Sequence, residues 1–508
     1  MSTYPLANSV YATHYAIEMH LKHLQAIEKP GFHTHTSMYA ERFHQLSETI
    51  LWPGRMNAQL FGHIIQPLPG KNKDHLLYGT ALRLICLALW VLSVPLVLPS
   101  VVLALPLRYL VHSHRPAISY INNAGSIEAK GKTKSDFPLT KDMPLHIRTH
   151  NLGLVTTTMS TLGDLRSPEQ RAKELVDSIL GDPRKPDIIF FQETFHEDAT
   201  RVLCEGMKQE YPYIVHSIAP QISGFNSGST VASKYPIENV QFQRLGHMVG
   251  PEKASPRGIT KVRLESLKGP ILLYDVHMQA LEGEDRSKAR FHQLKEIHQF
   301  MQADLRQEPH AWQVLTGDFN ISRLTAWGED NLKPKGQAEE RVIERHQDYF
   351  DDLYLRDHHI LTGKRTTGDP SYLHIDNHRL NQNMQEPSGS WYDGPFSDPG
   401  ILLSTIMRYD RQKHNRPEPQ KVELVTVKKS TWGRQAWHSE QIANTARYDY
   451  ILLLKNQGQK AALAPLSLDG RVEIRRIVVP PGSQSASSDH LPVDGRIWLT
   501  ATGKLRAP

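Results

Sequence analysis

Asn151, Glu193, His277, Asp318, Asn320, Asp449, Asp489 and His490 are the side chains through which this sequence could do chemistry. Most close a short apolar run. "RTHN" ends in Asn151, "FFQE" in Glu193, "YDVH" in His277, and "LTGDFN" in Asp318 and Asn320. "YDYILL" brings Asp449 and "SSDH" brings Asp489 and His490. Any one of these is ordinary surface; a succession of them at strand edges is a candidate site. Glu193 offers a hard oxygen ligand suited to Mg²⁺, with Mn²⁺ as its substitute, and Asn151 a neutral oxygen beside it. A metal there would neutralise a phosphate oxygen and stabilise a leaving alkoxide. His277 and Asn320 can donate hydrogen bonds to non-bridging oxygens as charge develops. Asp318 can position or deprotonate a water. His490, with a pKa near working pH, is the candidate general base. It needs a carboxylate on its other ring nitrogen, and Asp449 is the candidate. Together these types describe a phosphodiesterase.

Strands must carry these residues. "DIIFFQET" (187–194), "ILLYDVHMQ" (271–279), "WQVLTGDFN" (312–320) and "YDYILLL" (448–454) are short apolar runs rich in β-branched and aromatic residues. Helical patterns lie between them. In "SPEQRAKELVDSIL" (167–180), Ser167 is placed to cap, with Pro168 at the first position and Gln170 completing a capping box. Ala172, Leu175, Val176, Ile179 and Leu180 form its apolar stripe, and Gly181 ends it. A second helix over 285–304 sets Phe291, Leu294, Ile297 and Met301 on one side. Strands alternating with helices predict an α/β sandwich, and strand ends at the rim of a sheet are where such folds assemble sites.

Four regions follow: a helical region over 1–75, an apolar membrane-associating segment over 76–115, a linker over 116–143 containing the Lys-, Gly- and Ser-rich 122–136, and a catalytic domain over 144–500. The stretch at about 321–445 is polar and weakly patterned, which predicts a long insertion. Its Trp391, Tyr392, Phe396, Trp432 and Trp437 are read as packing a local subdomain, with anchoring at a membrane interface as the alternative.

The net charge of +6 over 508 residues suits phosphate-bearing partners or an anionic membrane without selecting either. Two cysteines, Cys86 and Cys204, exclude a disulfide framework and a cysteine-rich zinc site. From Leu84 to Leu107 no charged residue occurs, a run longer than the roughly 20 residues that cross a hydrocarbon core. Pro95, Pro99 and Pro106 within it predict a kinked span or a re-entrant hairpin. Basic residues on both flanks leave its orientation open.

"THN", "QET", "GDFN", "YDYI" and "SDH", in this order, resemble the endonuclease/exonuclease/phosphatase superfamily, the fold of DNase I. The resemblance covers roughly 144–500. It implies a four-layer α/β sandwich with two packed mixed β-sheets and Mg²⁺-dependent phosphoester cleavage without a covalent intermediate. By that resemblance Glu193 holds the metal with Asn151, and Asp489 adds a carboxylate near it. His277, Asp318 and Asn320 surround the phosphate and water, and Asp449 orients His490. "FQETFHEDATRVLCEGMKQEYPYI", "NSGSTVASKYPI" (226–237) and "VHMQALEGEDRSKARFHQLKEI" (276–297) are similar to stretches of membrane-attached neutral sphingomyelinases. The expected substrate is therefore sphingomyelin or a related phospholipid at a membrane surface. A DNase I-like nuclease is the alternative. It needs a basic, aromatic-lined groove that this charge excess does not establish, so nucleic acid is the disfavoured partner. A silent membrane adaptor is the third reading, opposed by competent residues at every expected position. An inositol-phosphate phosphatase is opposed by "LTGDFN" and "RYDYIL" standing where tryptophan-bearing variants are usual.

Overall fold

The computed structural model describes residues 24–26, 46–47, 49–51, 53, 57, 73–114, 118–126, 128–137, 139–155, 167–221, 225–281, 283–321, 337–354, 372–375, 443–446, 448–455, 466–474, 488, 490 and 492–501. Asp489 and the aromatic residues Trp391, Tyr392, Phe396, Trp432 and Trp437 lie outside them.

The apolar runs are continuous because their strands are covered on both faces. In β4 (Ile188–Gln192), Ile188 and Phe190 point to one side while Ile189 and Phe191 point to the other. β9 (Gly269–His277) divides in the same way, with Ile271 and Leu273 against Leu272, Tyr274 and Val276. In β10 (Trp312–Asp318) Val314 and Leu315 separate, and in β14 (Asp449–Leu454) Ile451 and Leu453 part from Tyr450, Leu452 and Leu454. This alternation builds four layers.

The inner layer lies between two seven-stranded sheets. One runs β1 (Leu24–Ala26), β7 (Asn239–Arg244), β8 (Gly258–Ser266), β9, β10, β14, β11 (Phe350–Asp352). The other runs β15 (Leu466–Ile474), β16 (Val493–Ala501), β3 (Leu145–Asn151), β4, β6 (Thr230–Ser233), β5 (Tyr213–His216), β2 (Ser119–Asn122). Both are mixed: β9 with β10 and β3 with β4 are parallel, and their other neighbours antiparallel. A separate two-stranded antiparallel sheet pairs β12 (Tyr372–Ile375) with β13 (Ala443–Ala446).

Helices cover the outer faces. α2 (Pro168–Gly181) and α3 (Glu197–Met207) bury Leu175, Val176, Ile179, Leu203 and Met207 against Ile189, Phe191 and Ile214. Ser167 caps α2 by accepting from the Gln170 amide at 3.2 Å. On the opposite side α4 (Glu284–Gln307) buries Leu294, Ile297 and Met301 against Leu272, Tyr274 and Leu315. The four-layer sandwich expected from the sequence is the fold.

Two stretches differ from their sequence reading. Within 321–445, α5 (Gln337–Tyr349) and β11 belong to the sandwich itself: Val342, Ile343 and Phe350 are buried beside α4 and β14. The "VIERHQDYF" spacing is helical, but its mostly polar surroundings hide it. Upstream, α1 (Lys73–His114) is one continuous helix that contains Pro95, Pro99 and Pro106, so the chain does not turn back at them. Its Leu84–Tyr109 stretch is long and apolar enough to cross a membrane.

Candidate active site

The inward face of each strand changes from apolar to polar at one end of the sandwich, and the period of two decides which polar residues meet. On β3 the row Leu145, Ile147, Thr149 ends in Asn151, and on β4 the row Ile188, Phe190 ends in Gln192. On β9 Ile271 and Leu273 lead to Asp275 and His277, and on β10 Val314 and Thr316 lead to Asp318. β14 runs the other way and begins with Asp449, the register partner of Asp318, which also pairs with His277 on its other side. Gly317 makes this approach possible: its φ is +126°, and a Cβ there would stand 2.1 Å from the Val276 carbonyl oxygen.

His490 arrives from outside the strands. Ser488 donates to the Asn151 carbonyl at 2.7 Å and its hydroxyl accepts from the His490 amide at 3.0 Å. The His150 ring bonds the His490 carbonyl at 3.1 Å. Burial pushes His150 down to about 3, so this ring is neutral. The loop is thereby tied to the end of β3, and the His490 side chain is left to face β10 and β14.

Its Nδ1 is 2.7 Å from Asp449 Oδ2, and its Nε2 is 4.0 Å from Asp318 Oδ2. Asp318 also accepts from Asn151 Nδ2 at 3.0 Å and from the Asn320 amide at 2.9 Å. Burial and the nearby Asp449 raise Asp318 to about 7. His277 Nε2 lies 3.8 Å from Asp318 and 3.7 Å from Glu193. The buried His277 ring has no hydrogen-bond partner at either nitrogen among the described residues, and burial holds it well below the usual histidine range. Glu193 sits one residue beyond β4 in the left-handed region, at φ +59°, with 23% of its side chain exposed. Asn320, at φ +52°, donates its amide to the Met278 carbonyl at 3.3 Å. Thus Asn151, Glu193, His277, Asp318, Asn320, Asp449 and His490 do meet, and Asp489 lies outside the described residues.

The site fits a hard divalent cation. Asp318, Asp449 and His490 place ligand atoms within 4.8 Å of one another, and the Glu193 carboxylate lies across His277 from Asp318, 3.7 Å from the ring nitrogen. Burial, and after it the charge of Asp449, raises Asp318, and a cation beside the carboxylates would offset both. Asn151 Oδ1 accepts from the Gly153 amide at 3.0 Å and keeps a second lone pair for a ligand.

Several participants escaped the sequence reading. Arg257 is buried, 3.9 Å from Glu193 and 3.1 Å from Glu252, with its guanidinium over the Phe195 ring. No local pattern marks it, because Glu193 and Phe195 come from a distant segment. Asp275 is fully buried between the sheets, accepting from Gln192 Nε2 at 2.5 Å and Ser229 at 2.7 Å. Burial raises it to about 8. An acid inside "ILLYDVH" was its available signal. Arg290 and Gln293 of α4 explain the "R-x-x-QL" spacing. Arg290 donates to the Gln279 and Leu281 carbonyls at 3.1 and 2.7 Å, and Gln293 accepts from the Gln279 amide at 3.0 Å. They clasp the loop that follows His277.

The model of the Endonuclease/Exonuclease/phosphatase family matches residues 149–490, from the end of β3 to the general-base candidate, and the chain belongs to that family. Among curated relatives, Sphingomyelinase C of Leptospira interrogans is 27% identical over 205 residues, covering 36% of this chain and 35% of that protein. Phospholipase C of Staphylococcus aureus is 24% identical over 231 residues, 40% of this chain and 64% of that protein. The chain therefore spans about a third of the length of the Leptospira relative. Of solved structures, Staphylococcus aureus beta toxin aligns over 69% of this chain and 99% of its own, at 16% identity and a TM-score of 0.41.

Proposed function

We propose that the protein is a Mg²⁺-dependent phosphodiesterase that hydrolyses sphingomyelin to ceramide and phosphocholine by in-line attack of water. The observation that carries this reading is the Asp449–His490 pair, 2.7 Å apart, with the imidazole Nε2 4.0 Å from Asp318 Oδ2. Asp449 accepts a hydrogen bond from Nδ1–H, so Nε2 carries the lone pair that acts as base toward a water between His490 and Asp318. As the water oxygen bonds to phosphorus, Nε2 takes its proton and the bond from phosphorus to the ceramide oxygen breaks. The departing oxygen takes up a proton from solvent water, and His490 returns its own proton to solvent. Asp318 fixes the water, and the unpartnered ring of His277 offers a hydrogen bond to a phosphate oxygen. Bound at Glu193 and Asn151, with Asp489, Mg²⁺ would supply charge neutralisation at the phosphate and the leaving oxygen.

The choice of lipid is supported by what the relatives' names say of them, a sphingomyelinase and a phospholipase C, and by the apolar α1. Phosphocholine release from sphingomyelin vesicles, run beside plasmid nicking with Mg²⁺ and with chelator, tests it. Lipid cleavage that needs Mg²⁺ is expected. DNA nicking with intact sphingomyelin would replace this reading by a nuclease.

A further inference from the structure

We infer that α1 is held in the bilayer without a net crossing, so that the residues before it and the catalytic sandwich share one side of the membrane. This does not depend on which phosphoester is cleaved.

The argument is one of parity. Before α1, β1 pairs with β7: Leu24 faces Phe242, Gln25 faces Gln241 and Ala26 faces Val240. After α1, only four residues separate His114 from β2, which pairs with β5. Both anchors lie at one edge of the sandwich, since Ile118 and Tyr120 share a core with Ile237, Val240 and Phe242. Ala26 and Ser119 thus belong to one folded body. A single passage of Leu84–Tyr109 across the hydrocarbon would leave them on opposite sides.

A compensating second passage has no segment to make it. Residues 27–72 contain Glu28, Lys29, Glu41, Arg42, Glu48, Arg55 and Lys71. Their longest charge-free stretch, 56–70, has 15 residues including Asn57, Gln59, His63 and Gln66. A span needs roughly 20 apolar residues, and a charge at its centre costs about 2.5–3.5 kcal/mol.

The surface of α1 fits an embedded but non-crossing helix. Cys86, Ser93, Ser100 and Ala104 are buried on one stripe, while Leu84, Leu92, Leu98 and Leu103 are exposed around the rest. The stripe is covered at least in part from upstream. Asn57 donates its amide to the Trp90 carbonyl at 3.1 Å and to Ser93 Oγ at 2.9 Å. An amide needs such partners where no water reaches it. Pro95, Pro99 and Pro106 lie within roughly 40° of one another around the helix, on the side away from that stripe. The polar seam therefore faces the chain itself, and the leucine and proline surface is left for acyl chains.

The test uses the full chain carrying both Ser2→Cys and Lys173→Cys, reconstituted in sealed phosphatidylcholine vesicles. A membrane-impermeant maleimide polymer is added from outside, and each chain is scored by gel shift. Wild type is the control, its Cys86 and Cys204 being buried. Chains carrying two labels or none are expected, whatever the mixture of orientations. Chains that uniformly carry one label, becoming doubly labelled in detergent, would overturn the inference. Release of the wild-type protein from the vesicles by alkaline carbonate would overturn it as well.

Discussion

Leu98 and Leu315 are the same residue in opposite settings: the first is 72% exposed on α1, the second fully buried under α4. Around Leu98 the helix shows leucines to its surroundings over most of its girth. Around Leu315 both faces of the sheet are covered, and the leucine is closed in by Leu294, Ile297 and Met301. Apolar composition alone predicts burial for both. What separates them is partnership: among the described residues, the central strands of the sandwich find two layers to pack against, and α1 finds an upstream residue, Asn57, along one stripe. The exposed surface is large and contiguous, which in a folded protein marks an interaction site. The sandwich spends its apolar residues on making a rigid rim, and the polar site stands on that rim.

This contrast can be broken, beginning with its largest expected effect. Glu193→Ala and His490→Ala alter the rim without touching either apolar region. Each should lower phosphodiester turnover by about 10²–10⁴-fold, while the sandwich still unfolds cooperatively and vesicle binding stays at the wild-type value. Retained turnover in either variant would remove that residue from the proposed mechanism. Leu315→Ala opens a cavity under α4 and should cost about 2–5 kcal/mol in denaturant unfolding. Leu98→Arg should leave that unfolding curve unchanged and weaken retention on vesicles by about 2.5–3.5 kcal/mol, read by flotation. If Leu98→Arg unfolded the sandwich instead, α1 would be part of its core.

Asp275→Asn sharpens the comparison at the boundary between core and site. The Asp275 carboxyl titrates at about 8 in the folded protein and near 3.9 in the unfolded chain. Between those values the folded state holds a proton that the unfolded state has lost. Its contribution to stability is thus fully present below about pH 4 and is lost as pH rises to about 8. The slope from one proton is at most about 1.4 kcal/mol per pH unit. The neutral amide should remove that part of the slope, which denaturant unfolding at a series of pH values from 4 to 9 would measure. The smallest effect is expected from Leu98→Ala, which should shift the sandwich's unfolding by less than about 0.5 kcal/mol.

Much of the site was legible because its residues sit at the ends of strands with strong apolar signatures. Asn151, His277 and Asp318 follow the core residues of their strands at a spacing of two, and Asp449 precedes Ile451 at the same spacing; Glu193 lies one residue beyond β4, out of that period. Reading the strand as a strand already aims them at the inter-sheet layer. Arg257 and Glu252 were not legible, because loops bring them to Glu193 and loop paths have no period. Nothing in "SSDH" assigns Ser488 a role. Only the position of β3 shows that its hydroxyl bridges the Asn151 carbonyl to the His490 amide. α5 was hidden by its surroundings, and its burial against α4 and β14 is a long-range fact.

By itself the sequence determined the alternation of strands and helices, the chemical types available for phosphodiester hydrolysis, and the presence of one apolar helix-length segment. Local periodicity and side-chain chemistry suffice for these, since each depends on neighbours within a few turns or a few strand residues. The tertiary structure decided which strands adjoin, and so that Asp449 faces His490 and that Asp275 is closed off between sheets. It also decided that both flanks of α1 return to one edge of the sandwich. These are consequences of pairing between residues far apart in the chain, and no local pattern encodes the partner.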